Sequence, residues 1–173
     1  MANISSDVDY LRQQYNRGKQ QHDRLVIEYN NKSFQDGDEL KKSDTQTEPK
    51  VQINIDNDLN KPHLTLIMAD PDAPQRGNER GGPWLHWIQA GFQGNQVTSG
   101  KTLADYQGPA PPSGTGPHQY IFLVYKSATN DFSKHGQSIT VSDSGKRKQF
   151  HLKTFETDHQ LELVATTSYT VIG

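Results

Sequence analysis

The sequence contains no cysteine. That absence excludes a disulfide framework, a thiolate metal site and a cysteine nucleophile, and it suits a reducing compartment. Long apolar runs are missing too: nothing approaches the roughly 20 consecutive apolar residues of a spanning helix. The opening MANISSDVDY has no basic flank leading into an apolar core, so neither a leader nor stable membrane insertion is expected. Charge of one sign is not in excess, since 18 Lys+Arg against 20 Asp+Glu leave a net charge of -2. A general nucleic-acid binder would show a basic stripe, and none is present. Apolar residues make up only 31% of the chain, which raises the question of disorder. The small net charge and the clustering of Val, Ile, Leu, Phe and Tyr into short runs argue instead for a folded chain with polar loops. At 173 residues the expectation is one domain over 1–173, a cytoplasmic monomer without cofactor or metal, large enough to bury about 70% of its unfolded surface.

Hydrophobic periodicity predicts the elements. Val8, Leu11 and Tyr15 stand at i, i+3 and i+7, with Ser5 or Ser6 as an N-cap and Gly18 as a stop, which predicts one amphipathic helix lying on a sheet. The period then changes to two. Leu25, Ile27 and Tyr29 form one alternating run, and Val51, Ile53 and Ile55 alternate with Gln52, Asn54 and Asp56. Asp36-Gly37-Asp38 marks a turn, and residues 41–50 show no period and read as a loop. Leu64 to Ala69 and Tyr120 to Tyr125 are apolar at both parities and predict strands covered on both faces, and Trp84 to Phe92 is largely buried. Phe150, Leu152 and Thr154, then Leu161, Leu163 and Ala165, then Tyr169 to Ile172 complete seven or eight strands. With no crossover helices to build βαβ units, the fold class is all-β with mainly antiparallel pairing; a parallel pair at one edge stays open.

Chemistry is expected at the end of the first buried strand. Pro71 and Pro74 stop ladder pairing there, so Asp70 and Asp72 stand on a stiff rim. Local sequence favours turn aspartates that satisfy loop N–H groups. His86, at the parity of Trp84 and Ile88, by itself reads as a core histidine on a backbone carbonyl. His118 and Tyr120 project to one face, just after Gly114 and Gly116. Two histidines and a phenol beside a carboxylate make an anion receptor, in which Asp70 accepts a histidine N–H and raises that ring's basicity. His22, His63, His135, His151 and His159 are expected at the surface, and Lys146-Arg147-Lys148 in a solvated turn.

DPDAP at 70–74, WLHW at 84–87, the segment from Leu103 to Tyr120 and the IFLVY after it resemble the signature blocks of the phosphatidylethanolamine-binding protein family, also known as Raf kinase inhibitor proteins. The resemblance is strongest over about residues 50 to 126 and implies a large antiparallel sheet flanked by a smaller one, with one N-terminal helix. It also implies a pocket for phosphate-type anions, phospholipid head groups included. By position it carries over Asp70, Pro74, Trp84, His86, His118 and Tyr120, with Tyr106 and Gly108 in the wall. The implied role is not enzymatic: a regulator or inhibitor of kinase signalling or of serine proteases. Departures from the family pattern bear on Asp72, Ala110 and the chain end. Gln119 stands where an arginine would face Asp72, so the Asp-Pro loop is expected to lack its cation. Ala110 replaces a glycine near the anion and supplies an N–H only at negative φ. The strand-like end at Tyr169 to Gly173, where animal members often continue into a helix, implies an open, shallow pocket with weak selectivity for lipid tails. The resemblance also implies cis peptides at Ala73-Pro74 and Gly82-Pro83.

Two other classes compete. Asp70, His86 and His118 are the ligand types of a metal-dependent enzyme, although no HxH or HExxH spacing is present. An interaction scaffold with a vestigial pocket is the other. A serine hydrolase is weaker still, because PSGTG at 112–116 is not G-x-S-x-G.

Overall fold

The computed structural model describes residues 3–55 and 62–173. Helix α1 (Asn3–Gly18) turns Val8 and Leu11 into the core along the predicted stripe. It already begins at Asn3, so Ser5 and Ser6 lie inside it instead of capping it. It stops at Gly18, where an added β-carbon would stand 2.6 Å from the Thr166 side chain.

The strands are β1 (Leu25–Tyr29), β2 (Lys32–Ser33), β3 (Asp38–Glu39), β4 (Lys50–Ile53), β5 (His63–Asp70), β6 (Trp84–Phe92), β7 (Lys101–Ala104), β8 (Pro117–Ser127) and β9 (Leu161–Ile172). A six-stranded sheet runs β3-β9-β8-β5-β6-β7, and a three-stranded sheet runs β2-β1-β4. All pairs are antiparallel except β3 with β9, at the edge of the large sheet. Among the described residues no helix is long and apolar enough to cross a membrane.

Strand β5 lies between β6 and β8, so its backbone is paired on both sides and both its faces are covered. Leu64, Leu66 and Met68 pack with Leu25, Ile27 and Ile53 of the small sheet. Ile67 and Ala69 face the other way, onto Leu11 of α1 and onto Leu152 and Phe155 of a second helix, α2 (Leu152–Asp158). Each large apolar side chain buried in this way stabilises the fold by about 1.5–3 kcal/mol. A register slip of one residue would exchange the two faces, so the pairing is strongly specified.

The fold is sheet-dominated as the sequence predicts, but Phe150 to Thr154 do not form a strand. Leu152, Phe155, Glu156 and His159 stand at i, i+3, i+4 and i+7 and are all buried, a helical period that outweighs the short alternation. His159 is therefore not at the surface; its ring lies between Phe132 and Phe155, 4.9 and 4.5 Å from their centroids. Residues 161 to 172 form one long strand, with a register shift opposite Val124 and Tyr125. Strands β2, β3 and β7 are too short to show a period. Asp56, the last residue of the alternation expected after Val51, lies outside the described residues.

Candidate functional site

Antiparallel pairing brings the end of β5 and the starts of β6 and β8 to one end of the large sheet, where Asp70 pairs with Trp84 and Ala69 with Ile121. A cavity of about 810 Å³ opens there. Of the residues singled out in the sequence, Asp70, Pro74, Trp84, His86, Tyr106, Gly108, Ala110, His118 and Tyr120 line it. Asp72 does not. The floor is deep instead of shallow, because His86, His118 and Tyr120 are 4%, 1% and 1% exposed.

His86 owes its direction to a bulge. Met68 pairs with Trp87 and Ala69 with Leu85, which leaves His86 as the extra residue. Bulged residues lose ladder pairing and are re-aimed. Ile88, of the same nominal parity, goes to the helix-side core, so simple alternation does not describe this strand. The His86 ring donates its Nδ1–H to the Gln107 carbonyl at 2.6 Å. Burial pushes its pKa down to about 4, against that bond, with the nearby Arg147 charge also lowering it. The ring is neutral at pH 7, and its Nε2 lone pair has no partner among the described residues.

His118 behaves oppositely. Its Nδ1 lies 2.8 Å from Asp70 Oδ2, and its Nε2 lies 2.9 Å from Thr115 Oγ1. The Thr115 hydroxyl donates to the Pro112 carbonyl at 2.7 Å, so its oxygen is free to accept from His118. Both ring nitrogens then donate, which is the imidazolium pattern. Burial alone would lower the His118 pKa; the hydrogen bond and charge of Asp70 outweigh it and hold the pKa above the ordinary histidine value. Burial raises the Asp70 pKa, opposed by His118 and by the Asp72 N–H, which Asp70 Oδ1 accepts at 2.6 Å. Tyr120 completes the floor, its ring edge-on to His86 at 5.2 Å and stacked with His118 at 6.5 Å. Burial raises its pKa far above that of a free phenol. Its hydroxyl is a neutral donor with no partner among the described residues.

Asp72 sits behind the wall, fully buried, and has cations after all. Arg12 of α1 donates to Oδ1 at 2.8 Å, Arg76 to both oxygens at 3.0 and 3.2 Å, and the Gln119 N–H to Oδ2 at 2.8 Å. These partners hold its carboxyl below the ordinary value despite burial. The expected loss of the loop's cation is thus corrected: the charge comes from the helix and from the loop itself. Gln119 turns its amide to Ser168 instead.

The largest correction concerns Arg147, which is 0% exposed. It donates to the carbonyls of Leu85 and His86 at 3.0 and 3.2 Å and to those of Asp105 and Thr140 at 2.8 and 3.0 Å. It therefore ties the start of β6 to the segments that carry Asp105 and Thr140. Nothing in a Lys-Arg-Lys turn signals this, because burial of the middle residue is set by a strand pairing 60 residues away in the chain. Gln107, Arg80 and Lys148 are further cavity residues without a sequence signal, and Thr115 supports His118 from behind the lining. Gln107 anchors His86 through its carbonyl and accepts from Trp84 Nε1 at 2.8 Å.

Glycine is required at Gly108, where a β-carbon would meet Gln46 and the Thr45 carbonyl at 3.0 Å. Gly116, at φ +77, makes the left-handed step that leads into His118. Ala110 is not among the residues with positive φ, so its N–H meets the condition set by the sequence. Ala73-Pro74 and Gly82-Pro83 are both cis.

A metal triad fits this geometry poorly. Both Asp70 oxygens accept hydrogen bonds, and the His118 Nδ1 is bound to one of them. No group of three His, Asp or Glu among the described residues is arranged to hold an ion.

Comparison with known proteins agrees with this architecture. The family model described as phosphatidylethanolamine-binding protein matches residues 30–170. The chain belongs to the phosphatidylethanolamine-binding protein family. A curated relative, a 26 kDa secreted antigen of Toxocara canis, is 35% identical over 127 residues, 64% of this chain and 48% of the relative. The match thus spans about half of that relative's length. Among solved structures, a carboxypeptidase Y inhibitor complexed with its cognate proteinase superposes with a TM-score of 0.71 at 23% identity, covering 85% of this chain and 81% of the inhibitor. The phosphatidylethanolamine-binding protein of Plasmodium vivax gives 0.66 at 19% identity, covering 85% and 83%. These two likenesses establish the fold.

Proposed function

We propose that this member of the phosphatidylethanolamine-binding protein family is a regulatory binding protein whose cavity takes a phosphate-bearing group. The observation that carries the reading is the floor: an unpartnered Tyr120 hydroxyl, an unpartnered His86 Nε2 and the His118 imidazolium held by Asp70 converge on one cavity. A phosphate there accepts a neutral hydrogen bond from Tyr120 and is attracted by the His118 charge; in passing from Thr115 to the phosphate, the His118 Nε2–H makes one charge-assisted hydrogen bond worth about 1.5–3 kcal/mol. Phosphoryl oxygens of a lipid head group and of a phosphorylated protein satisfy the same donors. Binding is favoured over catalysis because Asp70, the one carboxylate among the described residues that line the cavity, is engaged at both oxygens and is not available as a base.

The test is titration with phosphate and phosphoethanolamine while the histidine signals are followed by NMR. Movement of the His86 and His118 signals, lost in His86→Leu, is expected. Signals unmoved at saturating ligand would refute the reading. Inhibition of a serine protease is a second reading, favoured by the fold shared with the carboxypeptidase Y inhibitor. It predicts inhibition that persists in His86→Leu, since the contact would then lie outside the cavity.

A further inference from the structure

The cavity is much larger than a phosphate. At about 810 Å³ it falls in the range of pockets that enclose a whole drug-sized molecule, so a phosphate on the floor leaves most of the volume to the rest of the ligand. Part of the wall is apolar, formed by Trp84, Pro74, Pro111 and Pro112. Two cations, Arg80 and Lys148, also line the cavity, and both are exposed.

Their placement is built into the backbone. Gln149, in a left-handed conformation at φ +53, donates its N–H to the Gly81 carbonyl at 3.1 Å and its side-chain amide to the Arg80 carbonyl at 3.0 Å. The segment carrying Lys148 is thereby fastened to the segment carrying Arg80. Like charges are brought to one rim, and neither takes part in an ion pair among the described residues. Among the described residues, the only carboxylate that lines the cavity, Asp70, is already committed to His118. With Arg147 buried behind the wall, the cavity has positive charge at both the floor and the mouth and no free negative charge between them.

On the reading above of a phosphate on the floor, we propose that Arg80 and Lys148 form a second anion subsite, so that the ligand is a phosphorylated molecule bearing a second anionic group, such as a phosphoserine moiety. An ethanolamine ammonium at the mouth meets two like charges. A serine moiety offers them a carboxylate.

The test compares O-phosphoserine with O-phosphoethanolamine, which differ by that carboxylate, by calorimetric titration of the full chain at low salt. Two exposed ion pairs predict roughly three- to tenfold tighter binding of O-phosphoserine. The advantage should vanish in Arg80→Gln/Lys148→Gln and contract in high salt, while phosphoethanolamine binds the double variant as well or better. Both substitutions are on exposed side chains, and unchanged binding of inorganic phosphate verifies the fold. Glycerophosphoserine against glycerophosphoethanolamine repeats the comparison for a lipid-type diester; a serine preference in either pair supports the proposal. Equal binding within both pairs, or an advantage that survives the double variant, overturns it. Failure of every phosphate compound to bind the unaltered protein instead overturns the reading of the floor.

Discussion

Phosphate binding to this cavity should take up a proton, and the neutral state of His86 sets how many. Its Nδ1–H is fixed on the Gln107 carbonyl, so the side facing the ligand is a lone pair, and a fully ionised phosphate presents another. One hydrogen must be placed between them. Placing it on His86 at pH 7 means working three pH units above a pKa of about 4, at 1.36 kcal/mol each, or about 4 kcal/mol. On either placement one partner of the new hydrogen bond is ionised, so the bond returns about 1.5–3 kcal/mol in both and the protonation costs decide. Placing it on a phosphomonoester, whose second pKa is about 6, costs only about 1.4 kcal/mol. The monoester therefore binds as the monoanion, with its P–O–H donating to Nε2, and a diester is at a disadvantage of about 2.6 kcal/mol, nearly a hundredfold. At pH 5 the His86 cost falls to about 1.4 kcal/mol and the monoester cost nearly vanishes, so the disadvantage shrinks to about tenfold. The assay is calorimetric titration of phosphoethanolamine at pH 7 in buffers of different ionisation enthalpy, whose slope counts protons. A slope near one proton is expected, with most of it lost in His86→Gln, where any remainder reports His118. A slope of zero in the unaltered protein, or a monoester preference that does not narrow at low pH, would refute the reasoning.

Arg147→Met removes the donor to four carbonyls, of which those of His86 and Thr140 keep the N–H groups of Gln107 and Asp143, and should lower stability by at least about 2 kcal/mol, read as a reduced urea midpoint; a shift below about 1 kcal/mol would contradict its role as a clamp. The Asp72 carboxyl has a lowered pKa, so its contribution is present above the unfolded value of 3.8 and is lost as pH falls through the folded one. Arg12→Gln should thus cost about 1 kcal/mol at pH 7, discounted for the part-exposed arginine, and little once Asp72 is protonated; an equal loss at both pH values would exclude this ion pair as the cause. For His118 the pKa is raised, so its stabilisation is present below the unfolded value of 6.5 and fades as pH rises through the folded one. His118→Gln should flatten that alkaline decline in urea melts, and an unchanged decline would place it elsewhere.

Much of this molecule is written in local pattern. The parity of Leu64 to Ala69 assigns Leu64, Leu66 and Met68 to one core and Ile67 and Ala69 to the other, because side chains on a strand alternate faces whatever they meet. The spacing of Val8 and Leu11 places α1 in the same way, and the order of DPDAP, WLHW and GPHQY locates the cavity residues. Nearest-neighbour pattern fails where the cause is remote. The bulge at His86 depends on its register with β5, and that register decides which way the imidazole points. Arg147 is buried where it meets the carbonyls of Leu85, His86, Asp105 and Thr140, although its neighbours are two solvated lysines. One of the two cations of Asp72, Arg12, comes from a helix turn far away in the chain, and Gln149 fastens the segments that carry Arg80 and Lys148. The sequence by itself determined α1 and the buried strands with their two covered faces, since these follow from local periodicity, and the resemblance of its motifs picked out residues that line the cavity. Only the tertiary structure decided the protonation states, the supporting cations and the charge at the cavity mouth, because burial and proximity are properties of the assembled fold.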